Sequence, residues 1–533
     1  MQPGIAETEY LGDPIQGDLV RDQSQEFDLP FQLDDLPRPS AHEIDKGGLP
    51  QGKKLGTRST VEGRSYSYLP VYILRRHQVK LHPRTTIYSD IQIKGGGGRV
   101  KEGTLVERTT DADGNLVFDS GKAIPEVVKS GGKRWITRFS EKDIWSLRSR
   151  LGVVSVESGL RDFYTNDYLE SNFGLRTRAL VAIWEWPDDA SISTDEGVIT
   201  LADFKEDVEG TPGYEAWALR CKYRIQDYTR FTAELLADDN RRLPFAGGDT
   251  TIQRKKKGKY DRYLSHDPEN RPLTKAEQTQ AREQSLFLAQ QIILRARNDE
   301  DPRFQELAAT FTDLLAVDQI DKDDNWLVEL EKFYLNYLPI FSEVLGEQFG
   351  ILEEAGAISG AFNSQNITLL AEVVDHDVTI IDGKQFNEAG ELKPLSQSKR
   401  QLYKENFDPE DSDKNSITQL MRGWIAVSQL MRDLSRTGII QITEESTSQI
   451  RETFLSGYVQ QLEKSLNEAE LSERKSNFSN FLDKNRDNEL FLTLHNVHRP
   501  PVEEDYLGDG IIIRFVEQAS RLFSETADTR VAA

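Results

Sequence analysis

Residues 327–344 read LVELEKFYLNYLPIFSEV, the most regular part of a helical stretch from Thr274 to Leu352. The apolar positions alternate spacings of three and four, the pattern of a helix seam that packs against another helix. Pro339 lies inside the seam and removes one backbone hydrogen bond, so a kink or a break is expected there. The sequence predicts a partner helix for this seam, in the same chain or in a second copy. The seam consists of Leu327, Leu330, Tyr334, Tyr337, Phe341 and Val344.

Two further helices precede the seam. The first begins at the capping box Thr274-Lys-Ala-Glu277 and keeps apolar spacings of three and four up to Ala296. The second begins at Asp301-Pro302, because aspartate caps helices and proline is tolerated in the first turn. Amphipathic patterns over 417–434 and 450–466 predict two more helices. The C-terminal half is therefore predicted to be mostly helical.

The N-terminal half has the alternation of β-strands. It begins at Tyr66 and includes a predicted hairpin over 104–118. Ala179–Trp184 predicts a buried central strand. Tyr214–Asp238 is predicted to be a helix, with Cys221 as a small core residue. The expected class is α+β, with a β-rich N-terminal module followed by a mostly α-helical C-terminal module.

Composition and linkers set the predicted domain boundaries for a chain of 533 residues. An apolar island from Phe27 to Leu33 is expected to dock on the protein's own core or on a partner. The predicted divisions are a disordered or loosely docked tail at 1–60, a β-rich α+β domain at 61–245, a linker with a basic loop at 246–272, a helical domain at 273–525 with a small β insertion near 367–395, and a tail at 526–533.

The charge balance narrows the classes of partner. Lys and Arg number 66 against 89 acidic residues, a net charge of −23, which disfavours nucleic acid because phosphate contacts need clustered cations. One cysteine excludes an intrachain disulfide framework. No apolar run approaches the ~20 residues of a membrane span, and the start lacks a secretory pattern. A cytoplasmic location and a protein partner, or self-assembly, are expected.

Histidines and carboxylates give the candidate metal and catalytic residues. His376 is flanked by Asp375 and Asp377, and His495 and His498 form a second pair of candidate ligands. The Asp-His-Asp segment is similar to the distal segment of animal-type haem peroxidases over residues 375–379 only. That family's proximal Arg-Glu-His-Asn-Arg pattern is absent. The cofactor is unknown from these residues, and a metal ion or haem is the candidate.

Two groups of basic residues are candidate anion-binding sites. Arg176 and Arg178 precede the predicted buried strand, where guanidinium groups either bind an anionic ligand or pair with the chain's own acids. The only basic cluster of the sequence reads either as a solvated loop or as a site for an acidic partner. The cluster contains Arg254, Lys255, Lys256, Lys257 and Lys259.

Three functions follow from these features, and one of them is an anion-binding module that uses Arg176, Arg178 and the basic cluster at 254–259. A mobile tail, a β-rich module and a helical module are typical of a non-catalytic assembly or protein-interaction protein. The alternative is a metal- or haem-dependent enzyme with a site near His376 and either His495 or His498.

Overall fold

A computed structural model describes residues 17–33, 66–94, 154–185, 211–225, 275–317, 325–359, 366–395, 412–473 and 476, together with short strands between 107 and 261. Strands form the N-terminal half of the described chain and helices most of the C-terminal half. The predicted α+β class, with its β-rich and helical modules in that order, is confirmed.

The strand pairs in the described residues are antiparallel, and most of them join two strands that follow each other in the sequence. They are β1 Asp18–Asp22, β2 Tyr66–Val79, β3 His82–Lys94, β4 Glu107–Thr110, β5 Leu116–Asp119, β6 Val128–Ser130, β7 Arg134–Ile136, β8 Val154–Ser155, β9 Ala179–Glu185, β10 Ser191–Thr194, β11 Gly197–Thr200, β12 Pro212–Leu219, β13 Gln253–Arg254, β14 Tyr260–Asp261, β15 Ala357–Ser359, β16 Thr379–Ile381, β17 Lys384–Phe386 and β18 Leu392–Pro394. The predicted hairpin over 104–118 corresponds to β4 and β5. The β insertion near 367–395 contains β16 to β18, which continue a sheet begun by β15.

The main sheet has the strand order β1-β9-β12-β3-β2, with β8 beside the end of β12. Strand β9 lies inside the sheet and is buried along nearly its whole length, as its continuous apolar sequence predicts.

A short N-terminal segment, residues 18–28, connects the two edges of this sheet, and we call it the strap. Its first part is strand β1, paired with β9. After a turn of 3-10 helix, Phe27 bridges Arg75 of β2, and the Asp28 N–H donates to the Leu74 carbonyl over 2.8 Å. Phe27 is 7% exposed. The sheet therefore curls until one segment reaches both its edges, and Phe27 packs on the protein's own core.

Six α-helices have both ends within the described residues, and residues 468–473 are also helical. The six are α1 Val156–Phe173, α2 Lys275–Ala296, α3 Pro302–Thr310, α4 Asn325–Glu354, α5 Ser412–Arg436 and α6 Glu444–Ser465. Helix α3 begins as predicted, because Asp301 accepts from the Arg303 N–H and proline occupies the first turn. The left-handed Gly438, with φ 68°, follows the end of α5.

The predicted seam of α4 is filled within the same chain. Tyr334 Oη donates to the Ser285 carbonyl of α2 over 2.6 Å, and Tyr337 Oη donates to the Leu369 carbonyl over 2.8 Å. Five of its six residues are fully buried, and Leu327 is the exception. Helix α4 continues through Pro339, so the predicted alternative of a break is wrong.

Helices α4 and α6 approach each other through glycines. A Cβ atom at Gly346 would meet the Phe454 carbonyl, and a Cβ atom at Gly457 would meet the Glu343 carbonyl. Because these obstacles are backbone atoms, a side chain at either position would force the helices apart. Glycine therefore sets the spacing of this helix pair.

Two elements of the sheet module differ from the sequence prediction. The predicted helix from Tyr214 is wrong over its first turns, since Tyr214–Leu219 lies in β12. Its apolar residues are buried against strands on both sides rather than along one helix face. Helix α1 was not predicted, although Ser155 caps its start and the left-handed Gly174 ends it. Cys221 is fully buried, as expected.

Candidate functional site at the junction of sheet and helices

One face of strand β3 carries polar residues into the interior. Tyr88, Asp90, Gln92 and Lys94 alternate along the strand, so they share a face, and none is more than 2% exposed. Interior strand faces are normally apolar, and buried charges need partners. These side chains therefore depend on charges that other elements bring to the same interior.

Arg178 is the centre of the first group of partners. Its guanidinium donates to Asp162 of α1, to Asp375 over 2.8 Å and to Gln92 over 3.1 Å, and it stacks 4.3 Å above the Trp217 ring. Burial alone would lower the pKa of Arg178, but Asp162 and Asp375 raise it above its ordinary value. Arg178 is therefore a permanent cation that holds three elements together.

A second group of partners joins the sheet module to the helical module. Arg220, just after β12, donates to Glu300 over 2.9 Å and to Glu372 over 3.2 Å. Arg176 donates to Asp299 over 2.7 Å, and Arg84 of β3 also donates to Glu300, over 3.0 Å. Burial would raise the pKa of Glu300, but the three arginines around it lower the value to about 2.

A third group of partners also joins the two modules. Here the arginine belongs to the helical module and the carboxylate to the sheet module. Arg295, at the end of α2, donates to both carboxylate oxygens of Asp90, over 2.6 and 2.8 Å. The Lys222 N–H also donates to Asp90, over 3.0 Å. Such bidentate pairs are the strong, directional form of the arginine–carboxylate interaction. Together these pairs fix the helical module on the sheet.

We call the buried ion pairs described above the charged network. The candidate segment Asp375-His376-Asp377 lies inside this network. Asp375 adopts a left-handed conformation with φ 72° and accepts from Lys94 over 2.6 Å. Asp377 accepts from Ser158 of α1 over 2.5 Å. The segment thus ties the helical module to the sheet and to α1.

Both ring nitrogens of His376 have protein partners. Nε2 lies 3.1 Å from the Val373 carbonyl, which accepts only, so Nε2 carries the proton. Nδ1 then accepts from the Thr379 hydroxyl over 3.0 Å. Burial lowers the pKa of His376, which keeps the ring neutral. His376 would have to lose one of these bonds to ligate a metal.

The remaining predicted site residues divide into two groups. The guanidinium groups of Arg176 and Arg178 bind the chain's own carboxylates, the alternative to an external anion. Among the residues that the structure describes, no group of three or more His, Cys, Asp or Glu side chains could hold a metal ion. Arg254 ends β13, and its side chain lies outside the described residues, as do Lys255, Lys256, Lys257, Lys259, His495 and His498.

Several members of the network carry no signal at sequence level. Asp162 and Glu170 of α1 both face the sheet, yet polar residues on one side of a helix normally indicate solvent. Glu300 and Glu372 pair with arginines that are distant in sequence. A correct prediction of α1, from its cap at Ser155 and its end at Gly174, would have placed Asp162 and Glu170 on one face of a helix close in sequence to Arg178.

Comparison of the chain with protein-family models and with curated protein sequences finds no match. No helix in the described part of the chain is long and apolar enough to cross a membrane.

Proposed function

We propose that this is a non-catalytic assembly protein that associates through its helical module. The supporting observation is a second apolar stripe on helices whose inner stripe is already buried. Phe287 and Leu294 on α2 are 42% and 44% exposed, and Val328 and Leu335 on α4 are 46% and 47% exposed. Each pair is seven residues apart, about two helical turns. The exposed apolar side of such a helix can pack against a second partner.

The interior chemistry supports the same proposal. The charged side chains of the network pair with one another, and His376 uses both ring nitrogens inside the protein. Burial raises the pKa of the Cys221 thiol to about 12, which disfavours the thiolate that a nucleophile requires. The paired charges and His376 therefore act as structural connections between the modules.

Sedimentation velocity over a wide concentration range tests the proposal. Wild type is expected to associate as its concentration rises, and the double variant Phe287→Ser, Leu335→Ser is expected to associate at least about tenfold more weakly, since large apolar anchors dominate interfaces. Lys332→Ser changes an exposed polar residue of the same helix and is the control. A wild-type chain that stays monomeric at every concentration contradicts the proposal.

The competing prediction is an enzyme with a metal ion or haem near His376 and His495 or His498. Elemental analysis and an absorption spectrum of the purified protein distinguish the two. An assembly protein is expected to contain far less than one metal ion per chain. Stoichiometric metal that disappears in His376→Ala or His498→Ala would instead favour the enzyme.

A further inference from the structure

We infer that a cleft beside the β2–β3 hairpin receives the basic loop 255–259 of a second copy of this chain. The cleft has a volume of about 330 Å³ and lies between the hairpin, the strap and the C-terminal turns of α1. The inference rests on the proposed self-association and names a second contact in the same assembly, in addition to the apolar stripe of the helical module. The lining residues that matter are Glu26, Arg75, His77, Leu81 and Asp167.

Three carboxylates surround one guanidinium at the floor of the cleft. Arg75 lies 2.8 Å from Glu26, 2.5 Å from Glu170 and 3.6 Å from Asp167, so three carboxylates share one guanidinium. Arg220 reaches Glu170 only at 3.9 Å and is paired more closely with Glu300.

The other cations near the cleft have carboxylate partners elsewhere: Arg84 lies 3.0 Å from Glu300, and Lys80 lies 3.5 Å from Glu354. Arg76 at the rim is occupied by Asp28 of the strap, with two bonds of 2.7 and 3.0 Å. Burial raises the pKa of Asp167, and Arg75 only partly opposes the effect. The cleft therefore favours an external cation.

A buried side chain in the cleft wall also lacks a hydrogen bond. The side chain of His77 is 4% exposed, and neither ring nitrogen makes a hydrogen bond, although Nε2 lies 3.5 Å from Glu170. Buried polar groups in native proteins nearly always have a partner. Burial lowers the pKa of His77, so the neutral ring has one nitrogen able to accept from a donor. This is a second, independent indication of a missing ligand with N–H groups.

The rim of the cleft supplies an apolar contact. Leu81, at the tip of the hairpin, is 89% exposed and has φ 65°, and the preceding Lys80 has φ 49°. Left-handed conformations are uncommon for leucine, and such outliers are frequent at functional positions. The Lys80 N–H donates to the Ser171 carbonyl over 2.7 Å and so fixes the tip against α1. An exposed leucine held there can cover the aliphatic stem of a lysine.

The occupant follows from charge. A lysine ammonium has three N–H donors, which suit the carboxylates of Asp167 and Glu26 and the free nitrogen of His77. The sequence Lys-Lys-Lys-Gly-Lys at 255–259 belongs to the only basic cluster of a chain with net charge −23. In the sequence these residues join β13 to β14, which pair antiparallel. A second copy offers this segment to the cleft as a head-to-tail contact.

Mixing two charge-reversed variants tests the contact. The first variant is Asp167→Lys, in the cleft, and the second is Lys255→Glu, Lys256→Glu, Lys257→Glu, in the loop. Each alone is expected to associate about tenfold or more weakly than wild type, because like charges then face each other. An equimolar mixture is expected to regain association, since the cleft of the first variant then carries a cation that can receive the glutamates of the second. Glu306→Lys, an exposed change on α3, is the control and keeps wild-type association.

The outcomes separate this inference from the proposed function. If wild type associates and neither Asp167→Lys nor the milder Asp167→Asn weakens it, the cleft contact is wrong while self-association stands. A wild-type chain that never associates overturns both. If the loop variant lowers the melting temperature independently of concentration and leaves association unchanged, the loop contacts its own chain, and the assignment to a second copy fails; Asp167→Lys does not give this readout, because it also loses the ion pair with Arg75. A circular dichroism spectrum like that of wild type shows that each variant has folded.

Discussion

The interiors of the two modules differ in polarity: the sheet module buries charged side chains, and the helical module buries mainly apolar ones. Behind β3, Arg178, Lys94 and Asp162 are at most 2% exposed and bind one another through charge-assisted hydrogen bonds and the carboxylate of Asp375. Around α4 the interior is apolar, with Phe333 stacked on Tyr337 at 5.7 Å and glycines at the crossing with α6. The helical module is thus held by shape and apolar burial, whereas the polar face of β3 in the sheet module also depends on the pairing of buried charges.

The difference has a physical consequence for how each module tolerates change. A buried ion pair contributes little net stability relative to apolar residues, but removing one partner leaves an uncompensated charge. An apolar core loses stability gradually with the volume removed or added. The sheet module should therefore respond sharply to loss of one charge, and the helical module to a change of volume.

The largest effect is expected from Arg178→Met. It removes the cation between Asp162 and Asp375 and keeps most of the side-chain volume, so the cost should be about 3–5 kcal/mol of unfolding free energy. Urea denaturation followed by circular dichroism measures this. Arg178→Lys retains the charge and should lose less. A loss below about 1 kcal/mol in Arg178→Met would contradict the dependence on complete pairing.

The next effect concerns Glu300 and depends on pH. Glu300→Gln should cost about 3 kcal/mol at pH 7, because three arginines lose their shared anion. Arginines lower the folded-state pKa of Glu300 from 4.5 to about 2, so its stabilisation is present above pH 4.5. The difference between wild type and variant should shrink as pH falls from 4.5 towards 2. Urea midpoints at a series of pH values check this, and a difference that is the same at pH 7 and pH 3 would contradict it.

A smaller effect is expected from Gly346→Ala in the helical module. The added methyl group meets the Phe454 carbonyl, and forcing the helices apart should cost about 1–3 kcal/mol despite the better helix propensity of alanine. Because no charge changes, the cost should be equal at pH 7 and pH 4, unlike that of Glu300→Gln. Asn336→Ala on the exposed side of α4 is the control. A stabilised Gly346→Ala would show that the crossing is not closely packed.

The smallest effect is expected from Arg76→Met. This arginine makes two hydrogen bonds to Asp28, as many as Arg295 makes to Asp90, but its side chain is 67% exposed. Solvent screening should limit the loss to under about 1 kcal/mol. The same urea measurement, repeated at high salt, checks whether even this disappears. A loss as large as that of Arg178→Met would mean that burial is not what distinguishes the two sites.

The helical module could be predicted because its information is local. The apolar spacing of Leu330, Tyr334 and Tyr337 defines a helix and its buried side without reference to any other segment. The hydrophobic run of β9 is equally local. Asp301-Pro302 also marks the start of α3 by itself.

The charged interior could not be predicted, because its partners are far apart along the chain. Arg178 and Asp375 are 197 residues apart. Nothing near either residue distinguishes a buried charge from a solvated one. The apolar residues of β12 also share spacings with a helix, and only pairing with β3 and β9 decides between the two structures.

The strap has a consequence for the order of events during synthesis. Residues 18–22 leave the ribosome early, but their partner strand ends at Glu185. At about 5–20 residues per second, the strap waits roughly 10–30 seconds before that strand exists. During this interval β1 has no partner strand, although β2, which Phe27 bridges, has already been made. The earliest described segment to be made is thus among the last to pair, and closure of the sheet requires synthesis through Leu219, because β12 lies between β9 and β3.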